Sequence, residues 1–131
     1  MLRTDLQRLS RLRAQEARTL FAAGHYDGAY YLAGFAIECA LKACIARKTQ
    51  RYEFPDPKRA GRAWNHQLDQ LLHEAGLQAP KGSAIETQWA IVKDWSVDVR
   101  YTIGKSEAET HGFLNAAIGR KGVVAWLKQH W

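Results

Sequence analysis

Along the chain, apolar positions recur at helical intervals, in blocks separated by glycine, proline or capping residues. Leu2, Leu6, Leu9, Leu12, Leu20 and Phe21 follow one another by threes and fours, apart from a gap at Arg13–Ala17, with charged residues between them. That spacing predicts an amphipathic helix over Arg3–Ala23, stopped by Gly24, which is free to take positive φ. From Tyr26 to Lys48 there is no proline, and apolar residues surround nearly the whole circumference between Ala29 and Ile45. A helix apolar all round is packed on several sides, so this segment is expected to form the axis of the core. Ala29, Ala33, Ala36, Ala40 and Ala43 make a stripe of small residues that permits close backbone approach. Tyr26, Tyr30, Ile37, Leu41 and Cys44 make a bulkier face.

The remaining blocks are shorter. Thr49–Trp64, with Pro55-Asp56-Pro57, Gly61 and several basic residues, reads as an exposed loop. Asn65 is placed to cap a helix over His66–Ala75, with Leu68, Leu71 and Leu72 inward and Gly76 ending it. Ser83-Ala84-Ile85-Glu86 and Ser106-Glu107-Ala108-Glu109 both have the form of a capping box. The first opens a helix to about Asp94, with Ile85, Trp89 and Val92 on one face. The second opens a helix to about Lys128, which Gly119 and Gly122 weaken by roughly 1 kcal/mol each against alanine. No strand pattern or internal repeat is visible. About five helices with short loops imply an all-α antiparallel bundle, and 131 residues fit a single domain over 1–131.

Composition agrees with a globular protein, at 47% apolar and 24% charged residues. The net charge of +6 adds something new because it is clustered. Met1–Gly24 holds five Arg against Asp5 and Glu16, and Lys42–Arg62 sums to +5, whereas Ala63–Val99 sums to −3. Clustered cations attract polyanions, although an Arg-rich amphipathic helix also serves as a solvated face. Cys39 and Cys44 are too far apart on a helix to be bridged, which suits two buried thiols in a reducing compartment. The N-terminal residues lack the apolar core of a signal peptide. The longest apolar run, Ala29–Ile37, stops short of a bilayer's thickness at Glu38 and Lys42. A soluble, cytoplasmic protein without membrane contact is expected.

Candidate chemistry is sparse. No His-x-x-x-His or Cys-x-x-Cys pair supports a metal site, no glycine loop is shaped for phosphates, and no cofactor is implied. Arg100 stands outside the apolar faces, beside Tyr101 and after Asp94 and Asp98. It can grip a phosphate bidentately and stack on a base, or pair with an aspartate. Lys105 can add a phosphate contact beside the helix N-terminus at Ser106. Glu38 interrupts the apolar helix and needs a partner, for which Lys42 is suitably spaced. His66, at a helix start, can cap, pack or bind an anion. The aromatic set (Trp64, Trp89, Trp95, Tyr101, Trp126 and Trp131) can stack on bases, or fill the core and an interface.

Two stretches, Ala29-Tyr30-Tyr31-Leu32-Ala33-Gly34-Phe35-Ala36-Ile37-Glu38-Cys39-Ala40-Leu41-Lys42-Ala43 and Asp94-Trp95-Ser96-Val97-Asp98-Val99-Arg100-Tyr101, with His66–Leu72 between them, carry a resemblance. The chain resembles the HEPN domain family (higher eukaryote and prokaryote nucleotide-binding) in its small stand-alone prokaryotic form, over nearly its full length. The resemblance implies an antiparallel helical bundle, commonly a homodimer, with a groove near the dimer interface that the Glu38 position borders. It also implies association with a minimal nucleotidyltransferase, or a role in toxin–antitoxin and defence systems. Ribonuclease members of the family carry an Arg followed, after four to six residues, by a His. Here Lys105 stands where the nearest His would be, and the next is His111. Lysine is a poor general base at neutral pH because its reference pKa is near about 10.4. The expected function is therefore a dimeric domain engaging nucleotide or RNA through Arg100, Tyr101, Lys105, Glu38 and His66. The alternatives are a variant metal-independent endoribonuclease with Arg100 on the phosphate, and a protein-interaction module without nucleic-acid contact.

Overall fold

Caps and spacing act on this chain largely as its sequence predicts in the computed structural model, which describes residues 1–49 and 66–131. Helix α1 spans Arg3–Ala22 and opens where the Asp5 carboxylate accepts from the backbone N–H of Leu2 at 3.3 Å. Gly24 takes φ +84° in the turn that follows. Helix α2, Tyr26–Arg47, is the spine: Ala29, Ala33, Ala36, Ala40 and Ala43 are all fully buried. α1 lies on this alanine stripe with its own small positions, Ser10, Ala14 and Ala17, turned inward. Small residues on both sides let the backbones approach closely. The Ser10 hydroxyl exploits this by donating to the Ala36 carbonyl at 2.8 Å. By length and hydropathy α2 reaches what a membrane span needs, more than its apolar run alone suggested; 78% of its most apolar stretch is nevertheless buried inside the bundle.

Helix α3, Leu68–Glu74, is too short to hold alone. It is held by burying Leu68, Leu71 and Leu72, each contributing on the order of 1.5–3 kcal/mol. It begins two residues later than the sequence predicts. The backbone stays extended at Gln67, the N-cap residue, while the ring of His66 engages Glu38. The cap expected from Asn65 lies outside the described residues. Helix α4, Ala84–Val92, follows its capping serine, with Ser83 Oγ accepting from Glu86 N at 3.3 Å. A 3-10 turn, Val97–Tyr101, comes next, and helix α5 spans Glu107–Ile118, capped by Ser106 Oγ at 3.0 Å from Glu109 N.

The helix expected to run to Lys128 is broken, and a separate α6 occupies Val123–Leu127. The reason is steric. A Cβ on Gly119 would sit 2.3 Å from the Asn115 carbonyl oxygen, and one on Gly122 would sit 2.8 Å from that of Ala116. Only glycine permits this tight reversal, which turns Val123, Val124, Trp126 and Leu127 back into the core. Arg18 donates to the Ile118 carbonyl at 2.8 Å, satisfying an acceptor that the break leaves free. Trp89, Trp95, Trp126 and Trp131 are buried, while Trp64 lies outside the described residues. The described residues thus form an all-α bundle of six helices and one 3-10 turn around α2.

Cys39 and Cys44 are free and buried, and burial pushes both thiols up to about 12. A thiol held protonated is a poor nucleophile. Iodoacetamide at pH 8 is therefore expected to leave both unmodified in the folded protein and to label both in denaturant; mass spectrometry reads the difference. Because the folded thiols titrate higher than unfolded ones, their protonated form favours the fold. That contribution is complete below the unfolded thiol pKa of ~8.5 and is lost as pH rises towards the folded value.

Candidate functional site

Trp95 positions an exposed pair, Arg100 and Tyr101. Its indole lies on Gly34 of α2 so closely that a Cβ there would stand 2.1 Å from the ring. With Trp95 seated, Val97 and Val99 pack half-buried on the core, and Asp98 and Arg100, which alternate with them, turn outward. Tyr101 is 74% exposed. The Arg100 guanidinium lies 4.9 Å from the Tyr101 ring centroid. The neighbouring phenols, Tyr101 first and then Tyr31, hold Arg100 above the ordinary arginine range. Tyr31 in turn stacks on Trp95, ring centroids 5.9 Å apart. Neither Asp94 nor Asp98 forms a salt bridge with Arg100. The result is an exposed guanidinium lying against the Tyr101 ring and bridged to neither nearby aspartate.

Lys105 has other partners. The Asp27 carboxylate, in the first turn of α2, accepts from the backbone N–H groups of Gly104 at 3.1 Å and Lys105 at 2.8 Å. The Lys105 ammonium lies 4.3 Å from the Tyr30 ring centroid and 3.5 Å from a Glu109 carboxylate oxygen. Lys105 thus ties the loop to α2 and α5. The anion that its loop N–H groups receive is the protein's own Asp27.

Glu38 lies on α2 with only 2% of its surface exposed. Its two oxygens have different partners: Lys42 Nζ at 3.3 Å and His66 Nδ1 at 3.0 Å. The ionised carboxylate accepts from both, so the His66 tautomer that fits carries its proton on Nδ1. Half of the His66 ring is exposed. Beside the cluster is a cavity of about 190 Å³ whose walls include Leu6, Leu9 and Phe35. A carboxylate buried against such apolar walls persists only if its partners stay in place.

The five residues singled out in the sequence thus fall into three groups. Arg100 and Tyr101 touch, Glu38 and His66 touch across 28 positions of sequence, and Lys105 joins neither pair. Tyr31, Phe35, Glu38 and Lys42 recur along one side of α2, so one stripe connects the Arg100 patch to the buried carboxylate. The sequence reading missed Tyr31, Asp27 and the seat that Gly34 makes for Trp95. A glycine amid bulky residues on a core helix was the available signal for the last. Among the described residues, no group of three or more His, Cys, Asp or Glu side chains is placed to hold a metal ion.

Neither a curated protein nor a solved structure gives a significant match to this chain. The family model for the HEPN domain matches residues 5–124, from the first helix through α6's opening residues and including both stretches that carry the resemblance, and the chain belongs to that family.

Proposed function

We propose that this chain acts as a cytoplasmic homodimer that engages RNA or a nucleotide through Arg100 and Tyr101. The observation that carries the reading is the exposed Arg100 guanidinium, lying 4.9 Å from the Tyr101 ring centroid and bridged to neither Asp94 nor Asp98. Such a group binds a phosphate while the neighbouring phenol ring offers a stacking surface for a base. Lys105 supports the loop rather than the ligand. Ile103, 91% exposed two residues beyond Tyr101, supplies the apolar contact through which a second copy would bring its own Arg100 to the same groove. Membership of the family supports a nucleotide- or RNA-related role, with a minimal nucleotidyltransferase or a toxin–antitoxin partner as its setting.

A second reading, a variant endoribonuclease independent of metal, is favoured by one feature. His66 is a half-exposed imidazole oriented by a buried carboxylate, an arrangement suited to proton transfer. One titration addresses both. Fluorescence anisotropy with a labelled single-stranded RNA is expected to show Arg100→Ala weakening binding about tenfold, the worth of one charge-assisted phosphate contact. Unchanged affinity would remove Arg100 from the site. If the RNA is cut during the titration and His66→Ala stops the cutting, the second reading holds.

A further inference from the structure

The cations of α1 that the Arg100 patch leaves unused converge elsewhere. Arg11 and Arg18 of α1, Arg120 of the α5–α6 turn and Lys128 just after α6 line a cleft of about 230 Å³, and no carboxylate is among its lining residues. Three of the four are held by groups other than acids. Arg18 donates to the Ile118 carbonyl at 2.8 Å, and Arg11 and Lys128 lie 4.8 and 5.8 Å from the ring centroid of the buried Trp131. None of the four forms a salt bridge among the described residues. The Lys128 ammonium is held below the ordinary lysine range by burial first, then by Arg11 and Arg18. Four positive groups thus face one opening, and an acidic partner relieves their repulsion.

The shape of the cleft selects among acidic partners. Its volume is below the range of about 300–1,000 Å³ in which small molecules are usually enclosed, so it suits side chains that a larger partner inserts. Arg11 and Arg18 are two turns apart on one face of α1, about 10 Å along its axis, and the small Ala14 between them leaves the space open. Two turns of a second helix have the same length. Carboxylates at i and i+7 of such a helix match Arg11 and Arg18, and one at i+4 faces Arg120 and Lys128. Ala14, Ile118 and Val124 give the cleft an apolar floor for the flank of an amphipathic helix. None of the lining residues belongs to the Arg100 patch or to the Glu38–His66 cluster.

We propose that this cleft is a docking site for an acidic helix of a partner protein, laid along α1 with its carboxylates among Arg11, Arg18, Arg120 and Lys128. The site is separate from the RNA contact proposed at Arg100 and stands or falls independently of it. Fluorescence anisotropy of the full chain with two labelled, alanine-rich helical peptides of about 18 residues tests it. One peptide carries its glutamates at i, i+4 and i+7 on a single face; the other has the same composition with the glutamates spread around the helix. The single-face peptide is expected to bind with a Kd below about 1 mM at low salt, and the other at least about threefold more weakly. The charge reversal Arg120→Glu/Lys128→Glu is expected to weaken the single-face peptide by at least about tenfold with the melting temperature retained. The conservative variant Arg120→Lys/Lys128→Arg is expected to keep most of the affinity, and Arg100→Ala to leave it unchanged. The proposal is overturned if the single-face peptide does not bind at about 1 mM, if both peptides bind equally, or if the charge reversal changes nothing. It is also overturned if a single-stranded RNA displaces the peptide equally from the wild-type chain and from Arg100→Ala, which would assign the cleft to nucleic acid.

Discussion

Lys42→Ala is expected to destabilise the protein by about 3 kcal/mol, the lower part of the range of about 3–5 kcal/mol for breaking a buried ion pair. Lys42 and Glu38 are both buried, with Nζ 3.3 Å from the carboxylate. Removing the ammonium leaves a buried carboxylate whose remaining partner here is His66, a half-exposed ring. That surviving bond is why the low end of the range applies. The pair itself adds little net stability, since much of its attraction offsets the desolvation of two charges. The double variant Glu38→Gln/Lys42→Met, which removes both charges, is therefore expected to lie within about 1 kcal/mol of wild type. Urea denaturation at neutral pH reads both. A loss below about 1 kcal/mol for Lys42→Ala would mean that water entering the adjacent cavity already solvates Glu38.

The second large effect is expected at Gly34, and its sign opposes helix propensity. Alanine is favoured over glycine in a helix interior by about 1 kcal/mol. At Gly34, however, the added methyl would lie 2.1 Å from the Trp95 indole, where carbon atoms rest about 3.5–4.0 Å apart. The ring must leave its seat. Losing a buried tryptophan altogether costs about 3–5 kcal/mol, so partial displacement less the propensity gain gives an expected net loss of about 2 kcal/mol. Trp95 also backs Tyr31 and precedes the 3-10 turn that carries Arg100, so RNA affinity is expected to fall along with stability. Gly28→Ala is the control. There the nearest atom to a new methyl is the mobile end of Leu20 at 3.1 Å, and stability is expected to change by less than about 1 kcal/mol. Equal effects at the two glycines would show that Trp95 does not rest on α2 as described.

Much of the architecture was legible because it is encoded locally. Ala29–Ile45 is apolar all round and is the central helix; Ser83 and Ser106 are where capping boxes say they should be; Gly24 and Gly76 end helices with positive φ. The Glu38–Lys42 pair follows from helical spacing alone. What escaped depends on the chain meeting itself. Gly119 and Gly122 announced a weak point, but not a reversal, since the forbidding contacts are with carbonyls of the preceding turn brought close by the fold. Asp27 and Lys105 are 78 residues apart and meet only once α2 and α5 are packed. At the site, Arg100 and Tyr101 were visible as neighbours, whereas Tyr31, which stacks on Trp95 beneath them, came from another helix. The basic residues of α1 read equally well as a solvated face, and only the fold brings Arg11 and Arg18 beside Arg120 and Lys128.

The arrangement proposed for Arg100 works as a shared groove only if two chains bring their exposed Tyr101–Ile103 loops together. Light scattering on the protein, alone and with a saturating single-stranded RNA, bears on this most directly. The expected masses are those of two chains without RNA and of two chains holding one RNA with it. A single chain in both samples, still binding RNA, would contradict the shared groove and leave Arg100 acting from one subunit alone.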